Sequence, residues 1–147
     1  MIPDSMQVKL KNLIVDHEDY KPFPYTDTVG KITIGIGYNL TDRGLPDSWI
    51  NAQYDQDVNY FYSQLLADFP WFKDLCEARQ CVLIDMCFMG YKKFKEFDKM
   101  LAAIKAGDFK TAADEIINSE WATEVKKRAT QDALIMLTGI YNLLQRD

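Results

Sequence analysis

Only one stretch of this 147-residue chain carries the period-two signature of a half-buried strand. Lys31-Ile32-Thr33-Ile34-Gly35-Ile36-Gly37 alternates, directly behind the turn chemistry of Asp27-Thr28-Val29-Gly30. Nearly everything else repeats at helical spacing, so any sheet must be small and close to the N-terminus. Residues 6–18 read as a helix with Val8, Leu10, Leu13 and Ile14 toward a core, and Pro22 and Pro24 stop it from continuing. After a loop over 39–46, residues 47–68 set Ile50, Tyr54, Val58, Phe61 and Leu65 on one stripe. Residues 77–89 are apolar almost all round, interrupted by Asp85, which marks a helix at the centre of a bundle with Gly90 as its cap. Further helices are expected at about 94–106, closed by Gly107, at 109–118, entered through Asp108, at about 120–124 and at 127–143.

The pattern predicts an α+β fold over residues 1–147, mostly helical and organised as one domain. A small N-terminal β-hairpin lobe (about 1–46) is followed by a connecting helix (47–69) and a larger helical lobe (70–147). A cleft between lobes is the natural place for a ligand. The net charge of −5 argues against a nucleic-acid partner. The first residues lack a basic region followed by an apolar stretch, and no run approaches the length of a membrane span. Neither a signal peptide nor membrane insertion is therefore expected. The three cysteines, Cys76, Cys81 and Cys87, have no metal-ligand spacing and sit in or beside an apolar run, as buried free thiols would. Lys92, Lys93 and Lys95 cluster behind Gly90 and could give an acidic protein a local basic patch.

The chemistry-bearing residues are few. Glu18 follows Leu10 and Ile14 at four-residue spacing, so it closes the apolar stripe of the first helix. A carboxyl group sunk in such surroundings suits a general acid. Asp27 opens the turn nine residues later. Thr33 lies on the strand face opposite Ile32, Ile34 and Ile36, and strict alternation would put Gly35 and Gly37 beside it, a bare surface for a flat polar ring. Each feature has an ordinary structural reading: a fringe carboxylate, a turn aspartate, a strand kink at glycine. Dinucleotide, zincin, serine-elbow and phosphate-loop patterns are absent. Two carboxylates without a metal are the toolkit of glycoside hydrolysis.

The stretch from 16 to 41 resembles the catalytic signature of the T-even phage lysozymes, the phage-type glycoside hydrolases of family 24. Glu18, then Asp27 nine residues on, then Thr33 six further in Thr-Ile-Gly-Ile-Gly, reproduce its spacings. Tyr54-Asp55-Gln56-Asp57-Val58, the segment from 79 to 90, Trp121, Arg128-Ala129 and Thr138-Gly139 extend the resemblance along most of the chain. The resemblance implies a lysozyme fold and a muramidase acting on the β-1,4 bonds of bacterial peptidoglycan, with no cofactor and no metal. In that reading Glu18 is the general acid, while Asp27 with Thr33 holds the attacking water and the product is inverted. Asn39, Tyr38, Phe88 and Arg128 fall where the family contacts substrate or, for Arg128, pairs with the catalytic Glu. A monomeric phage endolysin is expected, made in the host cytoplasm and acting on the wall after release.

Departures from the family accompany the match. Tyr38 stands where the family has a histidine, and two other sugar-contact positions are Met100 and Glu115. The segment between the strand and the long helix is shorter than in the T-even enzyme, and the charge is acidic rather than basic. Two rival readings are a lytic transglycosylase, which needs one acid and no water, and a wall-binding module that has lost catalysis. Retention of Asp27 and Thr33 beside Glu18 argues against both.

Overall fold

The computed structural model describes residues 1–141. Its elements run α1 (Asp4–Glu18), β1 (Lys21–Thr26), β2 (Ile32–Gly35), β3 (Tyr38–Asn39), α2 (Leu40–Arg43), α3 (Asp47–Asp68), a 3-10 turn (Pro70–Asp74), α4 (Glu77–Cys87), α5 (Tyr91–Phe94), α6 (Asp98–Lys105), α7 (Phe109–Ile117), α8 (Glu120–Glu124) and α9 (Lys126–Thr138). The expected α+β class is borne out as a mostly helical chain with a small three-stranded antiparallel sheet. The chain falls into two compact units, Met1–Gln53 and a second from Tyr54 onward, the division lying within α3.

In the first unit the strands follow chain order, with β2 in the middle. β1 contains Pro22 and Pro24, which cannot donate to a ladder; it is an edge strand, and its pairing with β2 shifts register between Lys21 and Tyr25. The β2 strand is shorter than alternation suggests. Gly35 and Gly37 have φ of +67° and +66°, so the backbone leaves the strand there and turns back into β3. Gly37 therefore does not continue the Thr33 face. Apolar residues on α1 are not core either: Val8, Leu13 and Ile14 are exposed, and among the described residues of this unit only Thr33 is buried.

The hydrophobic core belongs to the second unit. It is built around α4, whose Val82, Leu83, Met86 and Cys87 are all but fully buried, as an element apolar on several faces must be. Each such side chain stabilises the fold by roughly 1.5–3 kcal/mol through removal from water. α7 and α9 form its most extensive helix pair. The stripe expected on α3 is buried only toward its C-terminal end, where Leu65 is fully covered and Phe61 packs on the core, whereas Ile50 and Tyr54 are exposed. The helix expected from 94 is split: Phe94 is buried at the end of α5, and α6 starts at Asp98. Asp108 caps α7 as expected, accepting from Thr111 N at 3.0 Å. α9 stops earlier than expected, closed by Gly139 at φ +69°. Residues 142 and 143, placed in that helix from sequence, lie outside the described residues. Of the cysteines only Cys87 is buried, the pKa of its thiol pushed up to about 12 by desolvation; Cys76 and Cys81 are free but exposed.

Two backbone and burial anomalies stand out. Asp19, the residue after α1, has φ 63° and ψ 170°, a region occupied almost only by glycine. Its exposed ion pair with Lys21 at 3.2 Å offsets little of that strain. Asp132 on α9 is 6% exposed, and its Oδ2 has no hydrogen-bond partner. Burial pushes its pKa up to about 8, Asp85 on α4 pushes the same way, and the Arg128 guanidinium opposes them.

Asp19→Gly should raise stability by about 1 kcal/mol, the relieved strain exceeding the entropy glycine adds to the unfolded chain. A urea midpoint unchanged or lowered would contradict the strain. For Asp132, the native state holds its proton more tightly than the unfolded chain, so its stabilising contribution is complete below pH 3.8 and drains as pH rises toward 8. The slope it can impose is at most about 1.4 kcal/mol per pH unit. Asp132→Asn should therefore be more stable than the parent at pH 8, with the advantage shrinking toward pH 4. Parallel denaturation curves across that range would show the opposite.

Candidate active site

The turn at Asp27 is built by one carboxylate oxygen. Asp27 Oδ1 accepts from Val29 N at 3.0 Å and Lys31 N at 2.8 Å, the short-range bonding that makes aspartate a turn residue. The backbone closes the same loop, with Asp27 N donating to Lys31 O at 2.8 Å and Gly30 N to Asp27 O at 3.1 Å. This fixes Tyr25 opposite Thr33 across β1 and β2, and Thr33 opposite Asn39 across β2 and β3. Oδ2 is left to face Thr33, whose Oγ1 donates to it at 3.4 Å. Asp27 is half-buried and Thr33 is 4% exposed, so both groups are held in place without being sealed from each other. A carboxylate and a hydroxyl set this far apart can share a water between them.

Glu18 is the last residue of α1 and is exposed, so the apolar stripe does not bury it as expected. Its carboxyl group lies instead against the backbone of the β2–β3 turn. A Cβ placed on Gly37 would come within 2.6 Å of Glu18 Oε2. Glu18, Asp27 and Thr33 thus all belong to the first unit, one at the end of α1, one in the β1–β2 turn and one on β2.

The expected substrate residues divide between the units. Asn39 is occupied as the cap of α2: Asp42 N donates to its Oδ1 at 3.0 Å, and its Nδ2 donates to Asp42 Oδ2 at 2.9 Å. Lys31 joins the same corner through Asp42 Oδ1 at 2.8 Å; this pair raises the lysine pKa and lowers that of Asp42. Tyr38, in the histidine's place, donates to Gly44 O at 2.8 Å, with its ring 4.8 Å from that of Trp49 and beneath the Arg43 guanidinium. It therefore ties the following loop rather than serving as a carboxylate's cationic neighbour.

In the second unit, Phe88 is 46% exposed, with its ring edge on Phe61. Arg128 donates through Nε to Asp85 Oδ2 at 2.6 Å and also to the Asp85 carbonyl, over the Trp121 ring. Asp85 is thus its carboxylate partner within the second unit. Met100 is 1% exposed, a core side chain with no surface to offer a sugar. Within the lysine cluster, Lys93 pairs with Glu124 at 3.6 Å and Lys95 with Asp68 at 3.3 Å, both at the surface. Sequence reasoning missed Gly37 as a neighbour of Glu18 and Asp85 as the partner of Arg128. The strict alternation through Gly37 pointed away from a turn, and an acid within an apolar helix carries no sign of which base will meet it.

Among the described residues, no group of three or more His, Cys, Asp or Glu side chains could hold a metal ion. No helix among them is long and apolar enough to cross a membrane. No protein-family model matches the chain. It is 26% identical to the pre-baseplate central spike protein Gp5 of Enterobacteria phage T4, over 92% of this chain but only 29% of that protein. It is 25% identical to probable T4-type lysozyme 2 of Dictyostelium discoideum, over 91% of this chain and 96% of that protein. The chain is thus similar, distantly but over about nine-tenths of its length, to a protein named as a probable T4-type lysozyme.

Proposed function

We propose that this chain is a lysozyme of the phage type, hydrolysing the β-1,4 bond between N-acetylmuramic acid and N-acetylglucosamine in bacterial peptidoglycan. The observation that carries the reading is the Asp27–Thr33 pair. One oxygen of the aspartate is consumed by two backbone amides, and the other is turned toward a hydroxyl across the sheet. Such a pair can hold a water molecule and orient it, which a simple turn aspartate would not require. The likeness to a T4-type lysozyme over nine-tenths of the chain supports the same reading.

Glu18 donates its proton to the glycosidic oxygen as the bond from that oxygen to the anomeric carbon breaks. Water held by Asp27 Oδ2 and Thr33 Oγ1 attacks the same carbon from the opposite face, and its proton passes to the Asp27 carboxylate. The anomeric configuration is inverted. No cofactor is needed, since the two carboxyl groups supply the acid and the base. The remaining parts of the reading are a monomeric endolysin, host-cell lysis, and synthesis in the host cytoplasm followed by action on the wall.

Glu18→Gln should lower turnover of purified peptidoglycan by about 10²–10⁴-fold with folding unchanged, because an amide has no proton to give. Thr33→Val, which keeps the buried shape but removes the hydroxyl, should cost roughly tenfold, the equivalent of one hydrogen bond. Full activity in a folded Glu18→Gln protein would remove Glu18 from the mechanism. Proton NMR of the first-formed reducing end should show the inverted anomer; a retained anomer would require a covalent intermediate in place of the held water.

A further inference from the structure

Two glycines in nearly the same conformation lead from β2 into β3, Gly35 at the strand's end with φ +67° and Gly37 in the turn with φ +66°. Both satisfy a backbone that L side chains rarely adopt, so conformation alone accounts for glycine at each. Their surroundings differ. A Cβ on Gly35 would meet nothing within 4 Å. A Cβ on Gly37 would lie 2.6 Å from Glu18 Oε2, 2.9 Å from its Cδ and 3.1 Å from its Cγ. Carbon atoms do not approach carboxyl groups that closely, so any side chain at 37 must displace the end of Glu18.

We infer that Gly37 is a positioning residue for Glu18, its missing side chain forming the seat on which the carboxyl group rests. The inference deepens the lysozyme reading and rests on Glu18 being the proton donor. Glu18 is exposed at the end of a helix, where a long side chain has several rotamers open to it. Contact with a bare backbone narrows that choice at no cost in buried charge. Displacing the carboxyl group by about 1 Å is enough to lose about 10²-fold in rate, since proton transfer depends on alignment with the leaving oxygen. The displaced atoms are the far end of a flexible chain, so an added methyl group at 37 costs position more than stability.

The pair of glycines supplies its own control. Gly35→Ala and Gly37→Ala carry the same backbone penalty and should unfold at similar urea concentrations. On purified peptidoglycan, Gly37→Ala should lower kcat about 10²-fold more than Gly35→Ala does, with KM close to that of the parent. In a Glu18→Gln background the two alanine variants should become equal. Equal losses in the parent background, or an excess loss that survives without the Glu18 carboxyl, would overturn the inference. A second measurement needs neither variant to fold nor any turnover. In the unmodified protein the Gly37 amide resonance should shift as Glu18 titrates, and Glu18→Gln should abolish that shift while the Gly35 amide stays indifferent. An indifferent Gly37 amide would equally overturn the seat. A titrating Gly37 beside a fully active Glu18→Gln protein would leave the seat standing and remove the proton-donor role instead.

Discussion

The Asp27 carboxylate organises the first unit. Its Oδ1 takes two backbone N–H groups that would otherwise be left unpaired in the turn, and this closure sets which residue of β1 meets which residue of β2. Because side chains alternate across a sheet, a slip of one residue would carry Thr33 to the other face and break its approach to Oδ2. The register that makes the hairpin is therefore the register that assembles the pair. Aspartate suits both tasks because it has two oxygens on a short stem: asparagine could keep the turn through its carbonyl oxygen but would then present an amide nitrogen, a donor, to Thr33.

The two units rest on different physics. From Tyr54 onward, stability comes from apolar burial around α4, where Leu83 and Met86 have no accessible surface. The one conspicuous polar intrusion is the Asp85–Arg128–Asp132 group. Arg128 neutralises Asp85, while Asp132 remains buried beside them with an unsatisfied oxygen. Such a group costs stability when ionised. In Met1–Gln53, by contrast, order comes from hydrogen-bonded turns and caps. Asp27 closes one turn, Asn39 caps α2, Thr41 Oγ1 accepts from Ile32 N at 2.8 Å, and Tyr38 holds Gly44. A unit held by directed bonds suits a site whose groups must keep particular orientations.

Sequence patterning exposed the features whose cause is local. The Asp27 turn is encoded within five residues, the Asp108 cap within four, and the burial of α4 in an apolar run. What stayed hidden depends on residues distant in sequence or on backbone torsions. Ile34-Gly35-Ile36-Gly37 alternates like a strand, yet the positive φ at both glycines turns it, a choice glycine allows without advertising it. Val8, Leu13 and Ile14 keep helical spacing on α1 but remain exposed, since amphipathic spacing states which face is apolar and not what covers it. Within the second unit Arg128 meets Asp85, 43 positions earlier, a pairing that no local pattern announces. Asp19 gave no signal of strain, because nothing in its composition distinguishes an ordinary turn residue from one forced into a glycine conformation.

The central claim is that water, held by Asp27 and Thr33, is the nucleophile, and this can be read from where its oxygen goes. Purified peptidoglycan digested in ¹⁸O-enriched water and analysed by mass spectrometry should yield reducing muramic ends carrying one heavy oxygen at the anomeric carbon. Unlabelled 1,6-anhydro ends would show that the muramic acid's own hydroxyl had attacked, leaving the Asp27–Thr33 pair without the role assigned to it.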